Sequence, residues 1–91
     1  MFRQGFGWGK NVNDAEIYAG ITDVFQQQLK APDLVVFAAM TAGDVSGWDS
    51  LTHIRLILAV EKKFGIKFRT SEVSSFRNVG DLADMVRAKL G

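Results

Sequence analysis

The sequence predicts an all-α fold made of three main helices and one short helix, with a long loop between the first two helices. Apolar residues recur at spacings of three and four along three separate stretches, which is the period of an amphipathic helix. A capping residue precedes each stretch, and glycine or proline follows two of them. The one strand-like run, residues 34–37, has no second strand candidate nearby, so we expect irregular structure or a helical turn there.

The first predicted helix begins after Asn13, which together with Glu16 three residues later has the pattern of a capping box. It ends near Lys30, because Pro32 prevents the helix from continuing. Its apolar positions are Ile17, Ile21, Val24, Phe25 and Leu29.

A connection of unusual length, residues 31–49, leads to the second helix, and loops of this length in small domains are often functional. We expect this helix to run from Ser50 to about Phe64, with Gly65 as its C-terminal cap. Its wide apolar face consists of Leu51, Ile54, Ile57, Leu58 and Val60.

The residue pattern in the last third of the chain predicts a short link and two more helices. Ile66 and Phe68 should point inward from an extended link, and residues 70–76 suit one or two turns of helix. Asn78 is the expected cap of the last helix. The apolar positions of that helix are Val79, Leu82, Ala83, Val86 and Leu90.

The composition restricts the class of protein. With 91 residues, the chain makes one small domain, residues 13–91, preceded by a glycine- and aromatic-rich stretch, residues 1–12, that we expect to be a flexible arm. The absence of cysteine excludes disulfides and a thiol nucleophile, and a single histidine argues against zinc. No run is long enough to insert in a membrane and the N-terminus lacks a signal peptide, so a cytoplasmic protein, acting as a monomer, is expected.

The net charge of +1 hides an asymmetry between the two halves. Residues 1–50 contain three Lys/Arg and six Asp/Glu, whereas residues 51–91 contain eight Lys/Arg and four Asp/Glu. The basic residues follow the pattern of polar helix faces and are not interleaved with exposed aromatics. Nucleic-acid binding is therefore not predicted.

The most informative motif is Gly-Trp-Asp-Ser-Leu at residues 47–51. It places Ser50 after an acid, at the point where a loop becomes a helix. The amide groups and partial positive charge of a helix N-terminus favour an attached phosphate, so this serine is well placed to carry an anionic prosthetic arm. The alternative interpretation is that Ser50 or Asp49 only caps the helix.

Over residues 13–91 the chain resembles acyl carrier proteins. The resemblance rests on a first helix, a long loop ending in the motif at residues 47–51, and a second helix ending in Glu-Lys-Lys-Phe-Gly-Ile at residues 61–66. It implies that Ser50 carries 4′-phosphopantetheine, installed from coenzyme A by a separate phosphopantetheinyl transferase. Because the chain has no thiol, the sulfur of an acyl or aminoacyl thioester must come from this arm. We expect no catalytic activity from the chain itself.

The resemblance also implies roles for the neighbours of Ser50. Asp49 would position the transferase complex, while Leu51 and Ile54 would contact the arm or the transferase, with core packing as their alternative role. His53 has no orienting partner in the sequence, so we expect a solvated surface histidine. The apolar loop residues Val36, Phe37 and Met40 either line a cavity for the acyl chain or fill the core.

The second helix differs from that of typical fatty-acid carriers, which is strongly acidic. Here the matching surface carries His53, Arg55, Lys62 and Lys63. Since charge complementarity selects partners, this chain suits a specialised free-standing carrier of a fatty-acid, polyketide or aminoacyl pathway, served by its own loading enzyme and downstream synthases. Trp48, where primary carriers have a small residue, agrees with this.

We expect the partner-binding residues to be His53, Ile54, Arg55 and Lys62. The alternative function is an unmodified helical interaction module, whose basic second helix binds an acidic protein.

Overall fold

Residues 13–90, the part of the chain described by the computed structural model, form four α-helices and one short 3₁₀ turn. The elements are α1 (Asp14–Leu29), the 3₁₀ turn (Ala42–Asp44), α2 (Ser50–Phe64), α3 (Thr70–Val73) and α4 (Val79–Leu90). No strand occurs among these residues. The predicted all-α architecture is confirmed, and the predicted arm, residues 1–12, lies outside the described residues.

The ends of α1 follow the local signals of the sequence. The Asn13 side chain accepts a hydrogen bond from the Glu16 backbone N–H at 2.9 Å, and the Glu16 carboxylate accepts one from the Asn13 N–H at 3.2 Å. This is the predicted capping box. At the other end, Lys30 adopts a left-handed conformation with φ of 54°, two residues before Pro32.

The core lies where α1 packs against α2 and α4. Its buried side chains are Ile17, Ile21, Val24 and Phe25 of α1, Leu56, Ile57, Val60 and Phe64 of α2, and Val79, Leu82, Ala83 and Val86 of α4, with Val36 and Met40 from the loop. Gly20 of α1 lets α1 and α2 approach closely, because a Cβ at this position would lie 2.5 Å from the ring of Phe64 on α2.

The long loop, residues 31–49, is fastened to α1 and α4 by hydrogen bonds that those helices donate to its backbone carbonyls. Gln26 Nε2 donates to the Leu34 carbonyl at 2.8 Å. At the start of α4, the Val79 N–H donates to the Met40 carbonyl at 2.9 Å and the Gly80 N–H donates to the Ala38 carbonyl at 2.8 Å. The loop therefore supplies acceptors for amides that the first turn of a helix cannot satisfy itself.

The same loop divides its apolar residues between the core and the surface. Val36 and Met40 are buried in the core, while Phe37 is 51% exposed. Of the two roles considered for these residues, Val36 and Met40 take the core-filling one. The irregular conformation expected for residues 34–37 is confirmed.

Helix α2 carries apolar residues on two different faces, which corrects the single wide face expected from the sequence. Leu51, Ile54 and Leu58 are 65%, 47% and 58% exposed, and we call these three residues the outer stripe. The inward face consists of Leu56, Ile57, Val60 and Phe64. The two faces are hard to separate in the sequence, because they adjoin around the helix and both follow the helical period.

Helix α3 is shorter than the predicted segment, residues 70–76, and it is anchored to α4 by an ion pair. Glu72 and Lys89 are 2.9 Å apart, and both side chains are 22% exposed. The preceding link packs Ile66 and Phe68 against the core, as expected. The expected cap of α4 is also confirmed, since Asn78 Oδ1 accepts from the Asp81 N–H at 2.8 Å.

Candidate functional site

The N-terminus of α2 presents Ser50 as the first residue of the helix, with Asp49 as the cap. The Asp49 carboxylate accepts a hydrogen bond from the Thr52 backbone N–H at 2.8 Å, and the Asp49 carbonyl accepts from the His53 N–H at 2.8 Å. Ser50 itself is exposed. Of the two capping candidates, Asp49 performs the capping, and this leaves the Ser50 hydroxyl out of that role.

At Gly47 the loop turns toward the start of α2. Its φ of +89° is a left-handed conformation that side-chain-bearing residues rarely adopt. The turn places the Trp48 indole against the buried ring of Phe25, edge to face, with 5.1 Å between the ring centroids. Trp48 is thereby half-buried immediately before the two polar residues Asp49 and Ser50.

The pKa of Asp49 lies below the ordinary value of an aspartate, chiefly because the Thr52 backbone N–H donates to its carboxylate. A carboxyl group with a lowered folded-state pKa stabilises the fold above its unfolded-state pKa, about 4. That contribution is lost as the pH falls through the folded-state pKa.

Asp49→Ala is therefore expected to lower Tm at pH 7 by on the order of 5 °C, and the gap to wild type should narrow below about pH 4. Thermal melts between neutral and acid pH measure both effects. Asp33→Ala, which removes an exposed loop carboxylate that caps no helix, is the matched control, and its Tm at pH 7 should stay close to that of the wild type. A gap for Asp49→Ala that persists unchanged in acid would contradict the capping role.

An open apolar groove of about 410 Å³ begins at Ser50 and runs between α2 and α3. Its walls consist of Ala42, Trp48, Asp49, Ser50, His53, Ile54, Val73, Ser74 and Phe76. Val73, Ser74 and Phe76 were not singled out for the site from the sequence, because no local signal links them to Ser50. Only the packing of α3 and of the residues that follow it beside α2 brings them to the same groove.

His53 is half-buried in the wall of this groove and uses both ring nitrogens in hydrogen bonds. Trp48 Nε1 donates to His53 Nδ1 at 3.2 Å, and His53 Nε2 lies 2.9 Å from the Val73 carbonyl oxygen. An indole N–H is only a donor, so Nδ1 accepts and the ring proton lies on Nε2, which donates to Val73. The expectation of a solvated surface histidine is wrong, because Trp48 and Val73 supply the orienting partners.

The outer stripe and the nearby cations form the exposed side of α2. Leu51 and Ile54 belong to the stripe, so the core-packing alternative for these two residues is wrong. Arg55 and Lys62 are exposed, whereas Lys63 lies 3.4 Å from the carboxylate of Asp23 on α1. An apolar stripe with cations beside it is the kind of surface that suits a protein partner.

The site contains the groups that a phosphopantetheine arm needs for attachment. A hydroxyl is exposed at the positive end of a 15-residue helix, which favours the negative charge of a phosphodiester. The groove beside it is apolar, which suits the pantoate methyl groups of the arm. Among residues 13–90 no group of three or more side chains could hold a metal ion. No helix in that range is long and apolar enough to cross a membrane.

Comparison with known proteins places these features in a family. Residues 19–86 match the family described as phosphopantetheine attachment site. The acyl carrier protein of Thermosynechococcus vestitus is 31% identical over 80 residues, covering 87% of this chain and 98% of that protein. The acyl carrier protein of Campylobacter hominis is 33% identical over 72 residues, covering 78% and 90%. The solution structure of holo acyl carrier protein from Geobacter metallireducens aligns with a TM-score of 0.76 at 38% identity, covering 81% of this chain and 85% of that chain.

The fold and these matches define a helical domain that bears a covalently attached 4′-phosphopantetheine. The chain belongs to the acyl carrier protein family. Members of this family are carriers and not enzymes, so the expectation of a non-catalytic protein is confirmed by the match.

Proposed function

We propose that Ser50 is the attachment site of the arm and that the chain delivers an acyl group, held as a thioester, to the enzymes of a specialised pathway. The observation that supports this assignment is that capping and exposure fall on two different residues at the start of α2. Asp49 caps the helix, and Ser50 beside it is exposed at the mouth of an apolar groove. The protein would act as a monomer in the cytoplasm.

Attachment requires one transfer step in which this chain supplies only the nucleophile. The Ser50 oxygen forms a bond to the phosphorus that bears the pantetheine in coenzyme A, and the pyrophosphate P–O bond breaks. Adenosine 3′,5′-bisphosphate leaves, and the hydroxyl proton passes to a base of the phosphopantetheinyl transferase. The chain contributes an accessible hydroxyl and the positive end of α2, while Asp49 keeps that helix end in place. The bound arm then supplies the thiol that the chain lacks.

Intact-mass measurement of the purified chain tests the modification directly. The apo protein is incubated with coenzyme A, magnesium and a broad-specificity phosphopantetheinyl transferase. We expect a gain of one phosphopantetheine, and peptide mapping should place it on Ser50. No gain with several transferases would contradict the proposal and favour the unmodified interaction module.

The partner surface we propose is the outer stripe together with Arg55 and Lys62. Ile54 lies between the groove and the exposed side of α2, so a partner that covers it also approaches Ser50. The cations favour enzymes with an acidic docking patch, since charge complementarity raises the association rate and like charges are rejected. Both ring nitrogens of His53 are hydrogen-bonded within the domain. His53 would therefore contribute to partner binding by shaping the groove wall.

This charge pattern favours a dedicated pathway over housekeeping fatty-acid synthesis. The loading enzyme and the downstream synthases, whether they handle fatty acyl, polyketide or aminoacyl groups, would carry the complementary acidic patch. The outer stripe with its cations also favours the second candidate function, an interaction module for an acidic protein, which needs no modification of Ser50. The mass measurement separates the two.

Leu51→Asp is expected to reduce kcat/KM for phosphopantetheine transfer about tenfold or more, because an apolar side chain buried on binding contributes roughly 1.5–3 kcal/mol. Leu51 is 65% exposed, so Tm should stay close to wild type. Initial rates of transfer measure the effect. Leu58→Asp is the matched control, since Leu58 has a similar exposure but lies two turns further along α2. Equal losses for both variants would contradict a contact specific to the serine end of the stripe.

A further inference from the structure

We propose that Trp48 and His53 form a clasp that keeps the acyl chain out of the bundle, so that the cargo lies in the groove outside the core. The inference rests on the proposed function, because it concerns the group carried on Ser50. It assigns Trp48 and His53 as the residues that determine where the cargo is held.

Two neighbouring cavities meet at this pair. The outer one is the groove of about 410 Å³ that begins at Ser50. The inner one is a void of about 60 Å³ that reaches the core residues Leu56, Ile57 and Leu82. Trp48 and His53 line both cavities together with Ala42 and Phe76, and these four residues form the partition between them.

The clasp joins three separate segments of the chain. The Trp48 indole packs on the buried ring of Phe25 and lies nearly parallel to the His53 ring, with an interplanar angle of 16° and 6.1 Å between ring centroids. The two hydrogen bonds of His53 tie Trp48, at the end of the loop, to Val73, at the end of α3. Moving His53 aside breaks both hydrogen bonds, and moving Trp48 aside breaks the one that joins the loop to α2.

Entry of an acyl chain into the void would break these contacts. It would leave the indole N–H and the imidazole nitrogens without their partners beside an apolar chain, which is unfavourable for polar groups. The void is also about one-seventh the volume of the groove. The groove offers apolar walls from Trp48, Ile54 and Phe76 without any such loss. An acyl chain held there stays on the surface, next to the outer stripe where a partner enzyme docks.

Loading with donors of increasing chain length tests the clasp. Apo protein is loaded by a broad-specificity transferase from acetyl-, butanoyl- and octanoyl-coenzyme A, and intact mass confirms each product. We expect Tm of the wild-type forms to agree within about 1 °C, because a chain that lies in the open groove stays partly in contact with water. The amide shifts caused by the octanoyl chain should fall on Ile54, Val73 and Ser74, which line the groove alone, and leave the void residues Ile57 and Leu82 unchanged.

Removing the clasp should open the void. In Trp48→Ala, Tm should rise by about 3 °C or more from the acetyl to the octanoyl form, because added methylene groups become buried, and the shifts should extend to Ile57 and Leu82. His53→Ala is the second variant if Trp48→Ala does not fold. Tyr18→Ala is the control for loss of an aromatic ring, because Tyr18 is half-buried and lines neither cavity.

The outcomes separate the two proposals. A chain that gains no mass from any donor overturns the proposed function and the cargo site with it. A wild-type protein that loads normally, but whose Tm and void-residue shifts increase with chain length, overturns the clasp alone. So do clasp variants that load normally and behave as the wild type does.

Discussion

Ser50→Ala is expected to abolish phosphopantetheine transfer completely while Tm stays within about 3 °C of the wild-type value. The modification should be lost because no other oxygen occupies the first position of α2. The stability should hardly change because the capping hydrogen bond comes from Asp49, whose carboxylate accepts from the Thr52 N–H. Intact mass after incubation with coenzyme A and transferase, combined with a thermal melt, measures the two effects in one preparation.

Ser46→Ala provides the control for this experiment. Ser46 is exposed in the same loop, four residues before Ser50, but it does not begin a helix. The control should gain one phosphopantetheine as the wild-type chain does. Mass gain by Ser50→Ala, or loss of the gain in Ser46→Ala alone, would move the attachment site away from Ser50.

Phe25→Ala is expected to destabilise the fold by about 3–5 kcal/mol, which is the usual result of emptying a buried phenylalanine site. The Phe25 ring is fully buried and contacts Trp48 edge to face, so its loss also removes a support of the groove wall. A domain of this size has a total free energy of unfolding of only about 5–15 kcal/mol. The variant should therefore be close to unfolded at physiological temperature. Urea denaturation followed by circular dichroism measures the change.

Phe37→Ala is the matched control, because Phe37 is 51% exposed. Its free energy of unfolding should differ from that of the wild type by less than about 1 kcal/mol. Similar losses for the two variants would mean that Phe37 packs more tightly than its exposure indicates. A small loss for Phe25→Ala would contradict its central place in the core.

The helix ends were predictable because the signals that set them lie within a few residues. The capping box of Asn13 and Glu16, the left-handed cap at Gly65 and the cap of α4 by Asn78 all follow from local hydrogen bonds and backbone preferences. The motif at residues 47–51 is equally local, so the serine at a helix start was visible before any packing was known.

The division of apolar residues between core and surface was only partly predictable. Helical period places Ile57 and Val60 inward, but it does not reveal that Leu51, Ile54 and Leu58 face solvent. That outcome depends on where α1 and α4 pack against α2. In the same way, Phe25 and Phe37 are chemically identical, and the packing of the chain around them buries the first and leaves the second half-exposed.

By itself the sequence determined the three main helices, the caps of α1 and α4 and the serine at the start of α2, because each depends on neighbours a few residues away. The structure decided that Asp49, and not Ser50, caps α2. Tertiary structure decided the surroundings of that serine. The groove unites Ser50 with Val73 and Phe76, and His53 finds its partner in a carbonyl 20 residues further along the chain. Such contacts depend on how helices pack, and no local pattern of side chains encodes them.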